Sequence, residues 1–145
     1  MRRRQRVQAW FALGLWIVLI LLASGDVFSA ANTQSWIGQP QPPGANAAPE
    51  HVALRALFQL LEYGVLGLLA FHALALAAGR GGLAAAGLGA LLALTISISD
   101  ETLQGYQPNR SGSPRDAVLN LFGAVGGVSL AAARFARRSR GRTDA

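Results

Sequence analysis

Residues 7–23 read VQAWFALGLWIVLILLA, a run without a single charged side chain. A helix needs about 20 mostly apolar residues, and at least about 17, to cross the hydrocarbon of a bilayer, because each residue rises about 1.5 Å along the axis. This run is therefore predicted to be a transmembrane helix. Trp10 lies near its start, where indole rings commonly sit at the membrane interface.

Three further stretches have the length and apolar character of membrane spans, at residues 52–78, 83–99 and 117–135. The composition agrees, since 52% of the residues are hydrophobic and only 14% are charged, against roughly 25% charged residues in soluble domains. We predict an all-α integral membrane protein in which four transmembrane helices form one small bundle. The whole chain, residues 1–145, is predicted to be a single membrane domain.

The connections between these segments are polar or rich in glycine and proline. Residues 24–50 contain QPQPPG at 39–44, where the prolines remove backbone donors and forbid regular structure. Residues 79–82 read GRGG, which predicts a tight turn between antiparallel helices. Residues 100–115 are predicted to be a polar loop that contains Pro108 and Pro114.

The arginines predict an orientation for these four spans. Of the thirteen basic residues, all arginines, ten lie near the two termini or in the 79–82 turn, and these fall on one side of the membrane. Only Arg55, Arg110 and Arg115 fall on the other side. By the positive-inside rule, both termini are predicted to be cytoplasmic in a bacterial plasma membrane. The basic tails flank apolar runs, so contact with anionic lipid explains them and no nucleic-acid partner is predicted.

The first segment has one alternative interpretation. Basic residues, an apolar run and the small-residue sequence FSAA at 28–31 together have the three-part layout of a cleaved signal peptide. Cleavage would leave three spans in the same orientation.

Charged and amide side chains fall at the predicted outer ends of three helices. Arg55, Gln59, Glu62 and Tyr63 share one stripe of the second helix, since they are spaced i, i+4, i+7 and i+8. Similar helical spacing relates Gln104 to two acids if the third helix continues past Ser99, and relates Asn120 to an acid in the fourth. The predicted polar site comprises Arg55, Gln59, Glu62, Tyr63, Asp100, Glu101, Gln104, Arg110, Ser111, Asp116 and Asn120. Gly123 and Gly127 have the GxxxG spacing that lets helices approach closely.

Three stretches of the sequence, which contain most of these polar residues, resemble the VanZ-like family of bacterial membrane proteins. They are RALFQLLEYGVLG at 55–67, DETLQ at 100–104, and PNRSGSPRD at 108–116 followed by Asn120 and Gly123. The resemblance covers residues 55–127, and its second and third stretches are the most specific. The family often has His-Phe where this chain has Gln59 and Leu60, so a titratable imidazole is missing here.

The resemblance implies a role in the cell envelope. The family takes its name from a member linked to resistance against teicoplanin-type glycopeptide antibiotics. We therefore expect a protein of the envelope that binds an anionic or lipid-linked molecule at an outward-facing polar site, with a possible link to glycopeptide tolerance. Arginine's planar fork suits phosphate and carboxylate groups.

Two other classes of function stay open. A small membrane enzyme could use the adjacent Asp100 and Glu101 as a general acid or base. A structural scaffold could use the same polar residues only to fix the helices in register. The absence of cysteine excludes disulfides, thiolate zinc sites and cysteine nucleophiles, and Ser111 has no histidine beside it in the motif.

No metal or cofactor is predicted, although a bound Mg²⁺ or Ca²⁺ stays an alternative. Its oxygen ligands would come from Glu62, Asp100, Glu101 and Asp116. Elsewhere, Trp10, Trp16 and Trp36 are predicted to be interface or lipid-facing anchors. His72 is predicted to be a packing or interface residue.

Overall fold

A computed structural model describes residues 2–25, 49–79, 81–106 and 113–140. Its helices are α1 (Arg2–Ala23), α2 (Pro49–Ala78), α3 (Leu83–Gly105) and α4 (Pro114–Arg140). Each contains a stretch that is long and apolar enough to cross a membrane. The described ranges contain no β-strand. The prediction of an all-α protein with four membrane helices is therefore confirmed.

The boundary of the third helix was predicted too early. Residues 100–105 were assigned to a polar loop, but α3 continues through them to Gly105. The reason is that Asp100, Glu101 and Gln104 are buried against neighbouring helices, so their polar groups do not require solvent. Helix α4 likewise begins at Pro114, three residues before the predicted span, and proline at a first helical position needs no backbone partner.

The helices alternate in direction. Gly79 closes α2 with φ of +69°, a left-handed conformation that glycine adopts without a steric penalty, and α3 begins at Leu83. Contacts along the bundle show α1 and α3 running opposite to α2 and α4. We call the end where α1 begins and α4 finishes the terminal end. The opposite end, where α1 finishes and α4 begins, is the loop end.

Glycines bring α2 and α4 into backbone contact. A Cβ atom placed on Gly127 would fall against the carbonyl group of Gly64, 2.8 Å from its carbon, and one placed on Gly67 would lie 2.9 Å from the carbonyl carbon of Ala124. Gly123 lies in the same way against the backbone of Leu60. Because no side chain fits between the two helices here, small residues are required along this seam.

Helix α1 packs mainly against α2. Its buried residues Ala9, Leu13 and Ile20 join the core that includes Tyr63. Trp16 is partly buried and donates from Nε1 to the backbone carbonyl of Glu62 at 3.0 Å. Trp16 is thus a contact between helices, and its prediction as a lipid-facing anchor was wrong. Trp10 is 45% exposed, and Trp36 lies outside the described residues.

Candidate functional site

Six polar side chains are buried together in the loop-end half of the bundle. None is more than 8% exposed. Helix α2 contributes one of them, α4 contributes one, and α3 contributes the other four. This group, called the polar cluster below, consists of Tyr63, Ser97, Asp100, Glu101, Gln104 and Asn120.

One face of α3 builds most of the cluster. Its buried residues recur at helical spacing and are small toward the terminal end, at Ala85, Gly89 and Ala93. From Ser97 onward the same face becomes polar, through Asp100, Glu101 and Gln104. The face that packs closely against neighbours at one end therefore carries hydrogen-bonding groups at the other.

Asp100 is the centre of the cluster. Its Oδ2 atom accepts a hydrogen bond from Gln104 Nε2 at 3.0 Å and a longer one from the Tyr63 hydroxyl at 3.4 Å. The bond from Gln104 lies within one turn of α3, whereas the bond from Tyr63 reaches across from α2. Asp100 therefore links α3 to α2 through its side chain.

Glu101 holds the start of the next helix. Its Oε2 atom accepts a hydrogen bond of 2.7 Å from the backbone N–H of Ser113, the residue before α4. Ser113 in turn accepts from the N–H groups of Asp116 and Ala117 through its carbonyl, at 2.9 and 3.1 Å. Bonds from N–H groups to ionised carboxylates are shorter and stronger than bonds between neutral groups. Glu101 thus fixes the entry of α4 against the end of α3.

Asn120 joins α4 to α3 deeper in the bundle. Its Nδ2 atom donates to Ser97 Oγ at 3.1 Å. Its Oδ1 atom is buried and accepts no hydrogen bond from the described residues, and the same holds for Oε1 of Gln104. Buried polar atoms without a partner are uncommon, and each calls for a donor such as a water molecule or a ligand group.

The residues of the predicted polar stripe on α2 differ in their burial. Successive residues of a helix point about 100° apart, and Tyr63 is buried while Glu62 is only partly so. Glu62 lines a groove between α1 and α2 together with Trp16, Phe58, Leu61 and Val65. Tyr63 therefore faces the interior of the bundle, while Glu62, the residue before it on α2, lies at the edge of this groove.

The remaining predicted residues are placed as follows. Gln59 and Asp116 are partly exposed, on α2 and in the first turn of α4. Arg55 lies on α2, but its side chain, like all of Arg110 and Ser111, falls outside the described parts of the chain. The four carboxylates suggested as cation ligands do not come together, since no three acids or histidines group around a metal position in the described ranges.

Two residues of this region were not predicted from the sequence. Ser97 precedes Glu101 by one turn and lies on the same face of α3, so helical spacing from the acid could have found it. The other is Arg115, which is exposed in the first turn of α4, two residues after Ser113. It was counted only as part of the charge asymmetry.

Comparison with known proteins identifies a family. No curated protein and no solved structure matches the chain significantly. The family model of VanZ/LLP1 matches residues 9–136, which include most of α1, all of α2 and α3, and most of α4. The match extends well beyond the stretches on which the resemblance rested. The chain is a multi-pass membrane protein that belongs to the VanZ/LLP1 family.

Proposed function

We propose that this protein binds an anionic or lipid-linked molecule of the bacterial cell envelope at the loop end of its bundle. The observation that supports the proposal best is the polar cluster. Glycine contacts already hold α2 against α4, and buried charged groups rarely stabilise a fold more than apolar packing of the same volume would. Six polar side chains buried at one end therefore suggest a purpose other than stability.

The orientation follows from charge. In the described ranges, exposed arginines cluster at the terminal end, including Arg3, Arg4 and Arg6 on α1 and Arg134, Arg137 and Arg138 on α4. Positive residues near short loops stay on the cytoplasmic side. The terminal end is thus proposed to be cytoplasmic and the polar cluster to lie toward the outer face of the plasma membrane.

The groups at the loop end match a ligand that carries both an anion and hydrogen-bond donors. Arg115 is exposed there. Arginines bind phosphate or carboxylate groups. The buried carbonyl oxygens of Gln104 and Asn120 would accept hydrogen bonds from hydroxyl or amide groups. A sugar or peptide linked through phosphate to a lipid has both kinds of group.

The experiment compares two arginines of α4. Arg115→Gln changes the loop end and Arg137→Gln changes the terminal end, and both residues are exposed. The full chain is purified in detergent and its thermal unfolding is measured with and without a lipid-linked cell-wall precursor. We expect the precursor to stabilise the unmodified protein and the Arg137→Gln variant, and to stabilise Arg115→Gln much less.

Failure of the precursor to stabilise the unmodified chain would overturn the proposal. The same incubations are examined for products, because turnover of the precursor would show the enzymatic alternative instead. Resistance to glycopeptide antibiotics is measured in cells that produce equal amounts of each variant. A difference between the two variants would connect the site to antibiotic tolerance.

A structural role is the second candidate. It is favoured by the hydrogen bonds that link three helices, from Tyr63 to Asp100 and from Asn120 to Ser97. If the cluster only fixes helix register, Tyr63→Phe and Asn120→Ala will reduce the folded amount in membranes, while Arg115→Gln will change neither abundance nor any envelope phenotype.

A further inference from the structure

A polar crevice lies between α1 and α2 toward the terminal end, far from the polar cluster. Its volume is about 320 Å³, and it is lined by Gln5, Gln8, Ala9, His72 and Leu76. The three polar residues are exposed, whereas Ala9 is buried at the base. The lining thus combines amide and imidazole groups above an apolar floor.

The depth of the crevice corresponds to a headgroup region. Helix α2 has 30 residues and is therefore about 45 Å long, whereas hydrocarbon is about 30 Å thick. The apolar span of α2 is Ala56–Ala78, so its overhang lies at the loop end. His72 is six residues, or about 9 Å, before the terminal end of that span. The crevice therefore reaches from inside this end of the span to Gln5, which lies among the exposed arginines at the start of α1.

The charge around the crevice is positive. Arg4 is exposed and precedes Gln8 by one helical turn, which places it on the same side of α1. Arg3 and Arg6 are exposed in the same first turns. Among the described residues, every carboxylate lies in the first half of α2, at the end of α3 or in the first turn of α4. An anion at the crevice therefore meets cations without a described acid nearby.

We infer that this crevice binds the phosphate headgroup of an anionic phospholipid from the leaflet at the terminal end. The amide groups of Gln5 and Gln8 and the imidazole of His72 supply hydrogen-bond donors, and the arginines supply charge. An acyl chain continues along Leu76 and the lipid-facing surface of α2. An unfilled polar crevice at this depth would expose hydrogen-bonding groups to lipid, which is costly.

The test uses the full chain in detergent and native mass spectrometry. Phosphatidylglycerol is the probe, and phosphatidylcholine is the zwitterionic control. We expect a single phosphatidylglycerol to stay bound, and the Gln8→Leu/His72→Leu double variant to weaken that binding roughly tenfold, the loss typical of hydrogen bonds to a charged group. Because all the altered side chains are exposed, folding is retained. Thr95→Val, an exposed change on α3, is the matched control and should bind normally.

A second comparison separates a specific site from general attraction to anionic lipid. Arg4→Gln lies beside the crevice and Arg137→Gln lies on α4, and each removes one exposed positive charge. We expect about a fivefold weakening for Arg4→Gln and little change for Arg137→Gln. Equal effects, or equal retention of phosphatidylcholine, would overturn the inference. Thermal stabilisation by inorganic phosphate that matches the lipid would show that free phosphate, not a lipid, is the ligand.

Discussion

The side-chain amide of Asn120 in α4 donates to the hydroxyl of Ser97 in α3 across 3.1 Å, and neither residue is more than 1% exposed. The bond joins two neighbouring helices, and Asn120 lies one turn before Gly123 of the glycine seam. It therefore offers a direct measure of how much polar contacts contribute to this bundle.

A double-mutant cycle of Asn120→Ala and Ser97→Ala should give a coupling free energy of about 0.6 kcal/mol, and no more than about 1.7 kcal/mol, as for other hydrogen bonds between membrane helices. Unfolding free energies in detergent provide the measurement. Thr95→Ala is the control, because its hydroxyl bonds only to the carbonyl of Leu91 in its own helix. Strictly additive effects of the two changes would show that the bond contributes nothing.

The glycine seam predicts a sharp contrast between adjacent positions. Gly127→Ala would place a Cβ against the backbone of Gly64, whereas a Cβ on Gly126 has nothing within 4 Å. We expect Gly127→Ala to lower the unfolding free energy by about 1–3 kcal/mol, the usual cost of overpacking. Gly126→Ala should be neutral or slightly stabilising. Equal stability of the two variants would contradict the close approach of α2 and α4.

The link between Glu101 and Ser113 can be tested at the amide itself. Glu101→Ala should accelerate hydrogen exchange of the Ser113 N–H and lower stability by about 1.5–3 kcal/mol, the range for hydrogen bonds to charged groups. Glu101→Gln keeps an acceptor oxygen and should have a smaller effect. Ser113→Ala should change little, because the bond uses the backbone N–H and not the hydroxyl. Unchanged exchange in Glu101→Ala would argue against this contact.

Attachment of α1 to the bundle depends partly on Trp16. Trp16→Phe removes the donor to the Glu62 carbonyl and should lower stability by about 0.5–1.5 kcal/mol. Trp10→Phe is the matched control, since Trp10 is largely exposed and should tolerate the change.

Mass spectrometry of the mature protein tests the signal-peptide alternative directly. A mature chain that begins near residues 28–31, where the small-residue sequence FSAA lies, would show that α1 is removed.

Hydropathy was sufficient to predict the number and type of helices. An apolar run in lipid must be helical because its backbone groups have no other partners. Residues 7–23 and 83–99 were therefore predicted to be helices from their composition and length alone. The GRGG turn was equally readable because Gly79 needs a left-handed conformation. The end of α3 could not be predicted in this way. Asp100 and Glu101 are polar in the sequence whether solvent or another helix surrounds them.

Side-chain direction limited the prediction of the site. Spacing along one helix correctly related Asp100 to Gln104, which are hydrogen-bonded. It could not show where α1 docks, or that Glu62 lines a groove with Trp16 of that helix. Trp16 was misassigned for the same reason, because its partner is a backbone carbonyl of another helix. Contacts across the bundle depend on which helices are neighbours, and local patterns do not contain that information.

The parallel seam between α2 and α4 also has a consequence for biosynthesis. Helix α2 leaves the ribosome well before α4, with the whole of α3 between them in the chain. Until α4 is inserted, Gly64 and Gly67 of α2 have no helix backbone packed against them. The polar cluster around Tyr63 also lacks Asn120 until then. Assembly of this seam is therefore completed only when α4 is inserted, and a nascent chain interrupted after α3 would expose an unfinished surface to membrane quality control.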